Sequence, residues 1–147
     1  MSKIALTGLS MLVIFCTAFV ATASDFDGKK PLLCAVIDAM ECSPGGDCRK
    51  VTPKSIDIPR FVHVDFKKKI IKAKGAEWEK RKTKIEHLAR LDGKLTLHGA
   101  EDGREEIRDG LGWSMAINDS TGDMVLTASG DEVGFVIFGA CTSLSKL

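Results

Sequence analysis

The chain has 147 residues, of which 44% are hydrophobic and 28% charged, and its formal net charge is +1 at pH 7. This balance excludes the strongly basic class of nucleic-acid-binding proteins, so no nucleic-acid partner is expected. The charge is uneven along the chain, because residues 49–90 contain 14 basic and 5 acidic residues, whereas residues 91–147 contain 4 and 10. We therefore expect a dipolar surface, or pairing of the basic part with the acidic part.

An apolar segment opens the chain. Residues Ile4–Val20 follow the single charge of Lys3, and Ala21-Thr22-Ala23 is the small-x-small pattern that signal peptidase cleaves. The alternative, a membrane anchor, is disfavoured because the apolar run is short. The sequence thus predicts a signal peptide over residues 1–23 and an exported protein, periplasmic or secreted. Residues 24–147 suffice for one hydrophobic core and contain no further membrane span.

Cysteine usage agrees with export. After the signal, four cysteines remain: Cys34, Cys42, Cys48 and Cys141. An even number in a small exported domain predicts two disulfides, with three connectivities open. We favour Cys42–Cys48, because a turn-forming segment separates them, and Cys34–Cys141, which would tie the first element to the last strand. A zinc or redox site is the alternative, but there is no C-x-x-C, and we predict no metal ion and no cofactor.

The first part of the mature chain carries a mixed signal. Residues 24–30 are polar and predicted to be loose. Pro31 precedes Leu32–Glu41, in which the apolar residues Leu33, Val36, Ile37 and Met40 recur at i, i+3, i+4 and i+7. This spacing predicts a short amphipathic helix, with a strand as the competing interpretation.

Strand patterns follow from Arg60 onward. Phe61–Phe66 alternates with period two, and the strand is expected to continue through Lys67–Lys69 into Ile70–Ala73. A charged loop, residues 75–82, carries Trp78. Thr83–Leu91 and Lys94–Gly99 are predicted to form a hairpin across an Asp-Gly turn, and the longest loop follows at residues 100–109.

The C-terminal third, Gly110–Leu147, predicts three antiparallel strands separated by turn clusters at residues 118–122 and 129–132. The expected fold is therefore mainly β, an antiparallel meander forming a small barrel or a strongly twisted sheet, with one short N-terminal helix. The last strand is apolar on both faces, so we expect that helix to cover its outer face.

Trp113 shares a strand face with Leu111, Met115 and Ile117, whereas the opposite face carries small residues. This alternation predicts a core position for Trp113. An aromatic platform at a barrel mouth is the alternative.

Candidate binding residues are few, and no catalytic residue is predicted. The histidines His63, His87 and His98 each lie in a predicted strand; they would form a metal site only if they converge, and surface histidines are favoured. The tracts Lys67, Lys68, Lys69 and 80–84 could contact an anionic lipid head group, a polyanion or an acidic protein. The simpler interpretation is that these lysines lie on a sheet edge and prevent it from pairing with another chain.

Six segments together resemble those of a group of small exported proteins of Gram-negative bacteria for which no activity is known. They are P-L-L-C-A, E-C-S-P-G-G-D-C, V-T-P-K-S, L-H-G-A-E-D-G, G-L-G-W-S-M-A-I and D-E-V-G-F-V-I-F-G-A-C-T. The resemblance implies a periplasmic or secreted location and assigns no functional residue. The leading hypothesis is a non-enzymatic module that binds a small apolar ligand or a periplasmic protein. The alternative is a hydrolase or metal-dependent enzyme that uses the strand histidines.

Overall fold

The computed structural model describes residues 25–103, 106 and 109–144. The predicted signal peptide lies outside the described residues. Within them the chain is mainly antiparallel β-structure, and no helix of seven or more residues occurs. The strands are β1 (Leu32–Cys42), β2 (Cys48–Val51), β3 (Phe61–Asp65), β4 (Ile70–Lys74), β5 (Lys82–Lys84), β6 (His87–Leu91), β7 (Lys94–Glu101), β8 (Leu111–Asn118), β9 (Asp123–Ser129) and β10 (Gly134–Ser143). Two short 3-10 helices, Pro53–Ile56 and Ala76–Trp78, lie between strands.

These strands form one curled sheet with the shape of half a barrel. Its order is β5-β4-β3-β1-β10-β9-β8-β7-β6, and β2 pairs with the end of β1 beside this path. Strands β6 to β10 are the predicted meander, whereas β1 lies between β3 and β10. The two ends of the sheet approach each other where the Thr83 hydroxyl of β5 donates a hydrogen bond to the Ala100 carbonyl of β7 at 3.1 Å.

The predicted N-terminal helix is wrong, because Leu32–Cys42 is the strand β1. A β-bulge explains the misleading pattern. Val36 pairs with Gly139 and Asp38 with Phe138, which leaves Ile37 as an extra residue in the ladder. The bulge shifts the inward-facing positions from even to odd numbers, so two stretches of period two imitate a helical spacing. Strand pairing on both sides of β1 then outweighs the local preference.

The prediction that a helix covers the outer face of the last strand is also wrong. No described segment packs over the outer face of β10, where Phe138 is 43% exposed. The inner face of the same strand carries Ile137, which is buried. The curled sheet therefore encloses one apolar side and leaves apolar residues on the other.

Two connections differ from expectation. Lys67–Lys69 does not continue a strand but belongs to a turn between β3 and β4, in which the Lys68 N–H donates to the Asp65 carboxylate at 3.0 Å. Side-chain bonds of this kind stabilise turns over extended chain. The leader Asp25–Lys30 is not loose, because Phe26 packs against the core cluster and lies beside Gly122.

The cysteines lie in the predicted pairs. The sulfur atoms of Cys34 and Cys141 are 2.07 Å apart, and those of Cys42 and Cys48 are 2.01 Å apart. Cys34 and Cys141 are register partners in β1 and β10, and both are buried. The long-range pair thus fastens the first described strand to the last.

Trp113 is a core residue, as predicted, with 8% of its surface exposed. Met115 and Ile117 follow it on the buried face of β8. Gly99 lies opposite Trp113 in β7, and a Cβ there would approach the Trp113 ring to 2.5 Å. The indole therefore fits because its neighbour has no side chain.

Candidate ligand-binding cavity

The curled sheet encloses an apolar cavity of about 150 Å³ that opens at one end. Six strands supply its apolar lining, because each directs alternate residues inward. The apolar strand residues in the lining are Val36, Val62, Ile71, Ala73, Leu111, Trp113, Met115, Met124, Leu126, Ala128, Phe135 and Ile137.

One segment covers part of the opening. The 3-10 helix Pro53–Ile56 and the residues after it place Ile56, Ile58 and Pro59 over the cavity. Thr52 caps this helix by accepting from the Ser55 N–H at 3.2 Å. Because the segment belongs to no strand ladder, we name it the cover segment, residues 53–59, and it is the part of the cavity wall that can move with least loss of pairing.

Arg81 fastens the cover segment to the opposite wall. Its guanidinium group donates to the Asp57 carboxylate at 3.1 Å and to the Asp57 carbonyl, and its Nε donates to the Glu101 carboxylate at 3.2 Å. The same guanidinium lies 5.3 Å from the centre of the Trp78 ring. One side chain thus connects the cover segment, the charged loop and the end of β7 at the cavity mouth.

The mouth widens into a polar cleft that shares Arg81, Glu101 and Leu111 with the cavity. Among the described residues, its walls carry six acidic and two basic side chains. They are Asp57, Glu77, Glu79, Lys80, Arg81, Glu101, Asp102 and Asp109. The electrostatic potential at the mouth therefore favours neutral or cationic groups over anionic ones.

Inside the cavity the polar atoms already have partners. The Trp113 Nε1–H donates to the Thr83 hydroxyl at 3.0 Å, and that hydroxyl donates to the Ala100 carbonyl. Among the described residues, every buried side-chain nitrogen or oxygen has a hydrogen-bond partner. The inner part of the cavity can therefore select a ligand by shape and apolar contact alone.

The histidines lie elsewhere. His87 and His98 are register partners on β6 and β7 and are exposed, whereas His63 lies half-buried on β3. In the described part of the chain, no three His, Cys, Asp or Glu side chains are placed to hold a metal ion together. The structure therefore brings two of the three histidines side by side and leaves the third apart from them.

Burial lowers the pKa of His63, and the charge of Lys74 lowers it further. Because the folded-state pKa is below the unfolded value of about 6.5, the unfolded chain binds more protons in mildly acidic solution. We expect the free energy of unfolding to fall as the pH drops from that value through the folded-state pKa. Urea melts over this range should show a smaller fall for His63→Gln, and an equal fall would contradict this assignment.

Of the predicted basic tracts, Lys67–Lys69 occupies the exposed turn between β3 and β4, outside the cavity. The tract 80–84 borders the site, because Lys82 lines the cavity and Lys80 lines the polar cleft. Sequence reasoning included Arg81 in the basic tract 80–84 without a role at a cavity mouth, and it missed Asp57, which lies 24 residues away and meets Arg81 only at the mouth. The Pro-flanked segment 53–59, with two isoleucines among polar residues, was the one local signal of a buried role.

No protein-family model matches the chain, and no curated protein or solved structure is similar enough to it to count as a match. None of the helices in the described residues has the length and apolar composition of a membrane span.

Proposed function

We propose that the protein is an exported, non-enzymatic binding module that holds the apolar part of a small molecule inside its curled sheet. The observation that carries the proposal is the apolar cavity of about 150 Å³ with a charged mouth. Apolar cavities of this volume accept a single aromatic ring. The two pairs of bonded cysteines fit an oxidising compartment and so support export.

The lining defines the class of ligand. One aromatic ring or a short branched alkyl group fills the inner part, where Met115 and Met124 offer adaptable surfaces. A polar substituent is placed toward Arg81 and Glu101, which the cavity shares with the polar cleft. The excess of acidic residues at the mouth makes an amine or a neutral group the preferred substituent.

We expect phenethylamine to stabilise the protein against urea more than phenylacetate does at equal concentration, because the two share a ring and differ in charge. Stabilisation reaches about 2.7 kcal/mol when the free ligand is at 100 times its Kd. The preference for the amine should shrink at high salt. Denaturant melts give the affinities, and methyl resonances of Met115 and Met124 report whether the ring enters the cavity.

A cavity-filling variant separates this site from surface binding. Ala128→Leu places extra carbon atoms in the cavity and should abolish stabilisation by phenethylamine. The matched control is Ala89→Leu on β6, which is exposed and should leave stabilisation unchanged. If both variants respond equally, or if neither methionine resonance moves in the unmodified protein, the cavity is not the binding site and the proposal is wrong.

A further inference from the structure

Lysines dominate the outer surface of strands β3 to β5. All seven are exposed, and among the described residues only Lys68 has an acidic partner, Asp65, at 4.0 Å. Lys72, Lys74 and Lys84 point outward because Ile71, Ala73 and Thr83, which alternate with them, line the cavity. Lys82 pairs with Lys72 and also borders the cavity. The seven are the turn residues Lys67–Lys69 and the strand residues Lys72, Lys74, Lys82 and Lys84.

This arrangement opposes the stability of the sheet. Lys72 and Lys82 are direct cross-strand partners, and like charges in that position destabilise a strand pair. Lysine on an edge strand prevents unwanted pairing, which accounts for β5. It does not account for Lys72, since this residue of β4 pairs with β3 on one side and with β5 on the other.

An apolar surface continues from the lysines across β1, β10 and β9. Four of the six large hydrophobic residues that are exposed in the described chain belong to this surface: Ile37 on β1 at 66%, Phe138 on β10 at 43%, Val125 on β9 at 40%, and Phe61 on the neighbouring β3 at 47%. Phe138 and Val125 are register partners, and Ile37 is the bulge residue beside Phe138. Phe61 joins the two regions, because its register partners are Lys74 on one side and Ala35 on the other.

We propose that this outer face, the lysines of β3 to β5 together with the apolar residues of β1, β10 and β9, docks peripherally on an anionic lipid bilayer. Lysines near such a surface gain electrostatic energy from its head groups. Exposed aromatic and aliphatic side chains gain by entering the boundary between head groups and acyl chains.

Other partners fit this face less well. Protein interfaces are depleted in lysine, and all cations on β3, β4 and β5 are lysines. A second copy of the chain would bring two lysine surfaces together. A polyanion would use the lysines but would leave Phe138 and Ile37 exposed to water, which is unfavourable for residues of their size.

The test is co-sedimentation of the exported, processed protein with phosphatidylcholine vesicles that contain or lack phosphatidylglycerol. We expect binding only to the anionic vesicles, weakening as salt is raised. Neutralising two lysines, in Lys72→Gln with Lys82→Gln, should lower the partition coefficient by about 25-fold, because each lysine contributes roughly fivefold. The matched control, Lys54→Gln with Lys94→Gln, removes the same charge outside the proposed docking face. It should change the partition coefficient by less than about threefold.

The apolar half has its own test. Phe138→Ser should weaken vesicle binding by roughly tenfold. Ile37→Ser provides a second variant with a more exposed side chain, and circular dichroism checks that both fold. Equal binding to both vesicle types, no binding at all, or equal loss in the lysine control would overturn the proposal. If both serine variants bind vesicles as the unmodified protein does, and the protein binds heparin as tightly as it binds vesicles, the face is a polyanion site and the proposal is wrong.

Discussion

Replacing Trp113 with alanine should lower the free energy of unfolding by about 3 to 5 kcal/mol. The indole is buried, and its loss would enlarge a cavity that already lies beside it. The variant also removes the hydrogen bond from Nε1 to Thr83, which links β8 to β5 across the gap between the two ends of the sheet. Both effects act in the same direction, so urea melts should show a large shift.

Trp78 is the internal control. It lies half-buried in the charged loop, and its ring contacts Arg81. Such a contact at an exposed site contributes about 0.5 to 1 kcal/mol, so Trp78→Ala should be tolerated. Trp113→Phe keeps an aromatic ring and removes the hydrogen bond. The lost bond should lower the free energy of unfolding by about 1 kcal/mol, in addition to the effect of the smaller ring. A tolerated Trp113→Ala combined with an unfolded Trp78→Ala would contradict the assignment of the core.

Removing the long-range disulfide should have an effect of similar size. The double variant Cys34→Ala, Cys141→Ala removes a crosslink between residues with a sequence separation of 107. We expect it to lower the free energy of unfolding by about 2 to 5 kcal/mol. The reason is that the crosslink restricts the unfolded chain, which gains more freedom the longer the loop. Since both cysteines are buried between β1 and β10, the substitution also removes packing atoms.

The second pair serves as the comparison. Cys42 and Cys48 are separated by only 6 positions, and Cys48 is exposed. Alanine at both positions should lower the free energy of unfolding by roughly 2 kcal/mol in the same chain-entropy estimate. Peptide mapping of the oxidised protein under non-reducing conditions gives the pairing directly. A peptide that joins Cys42 to Cys141, with Cys34 carrying a free thiol, would show the pairing to be wrong.

Local sequence determined the C-terminal half of the fold. In β8 and β9 the residues alternate, so the period-two pattern predicts both strands and their inward faces. Turn clusters and an apolar run predict β10, but the sequence does not show which face is buried, because both faces are apolar. The hairpin between β6 and β7 followed from its Asp-Gly turn, in which both residues have positive φ. Its predicted first arm, Thr83–Leu91, is too long, because the chain breaks after Lys84 and the preceding residues pair with β4 as β5. The core position of Trp113 followed from the same alternation.

Tertiary structure decided the N-terminal strand and everything at the cavity mouth. A bulge at Ile37 imitates a helical period, and only pairing with β10 and β3 shows that the segment is extended. Arg81 meets Asp57 and Glu101 through the closing of the sheet, because their separations of 24 and 20 residues leave no local signal. The cavity has the same origin, since its volume depends on how six strands curl around it and not on the composition of any one of them.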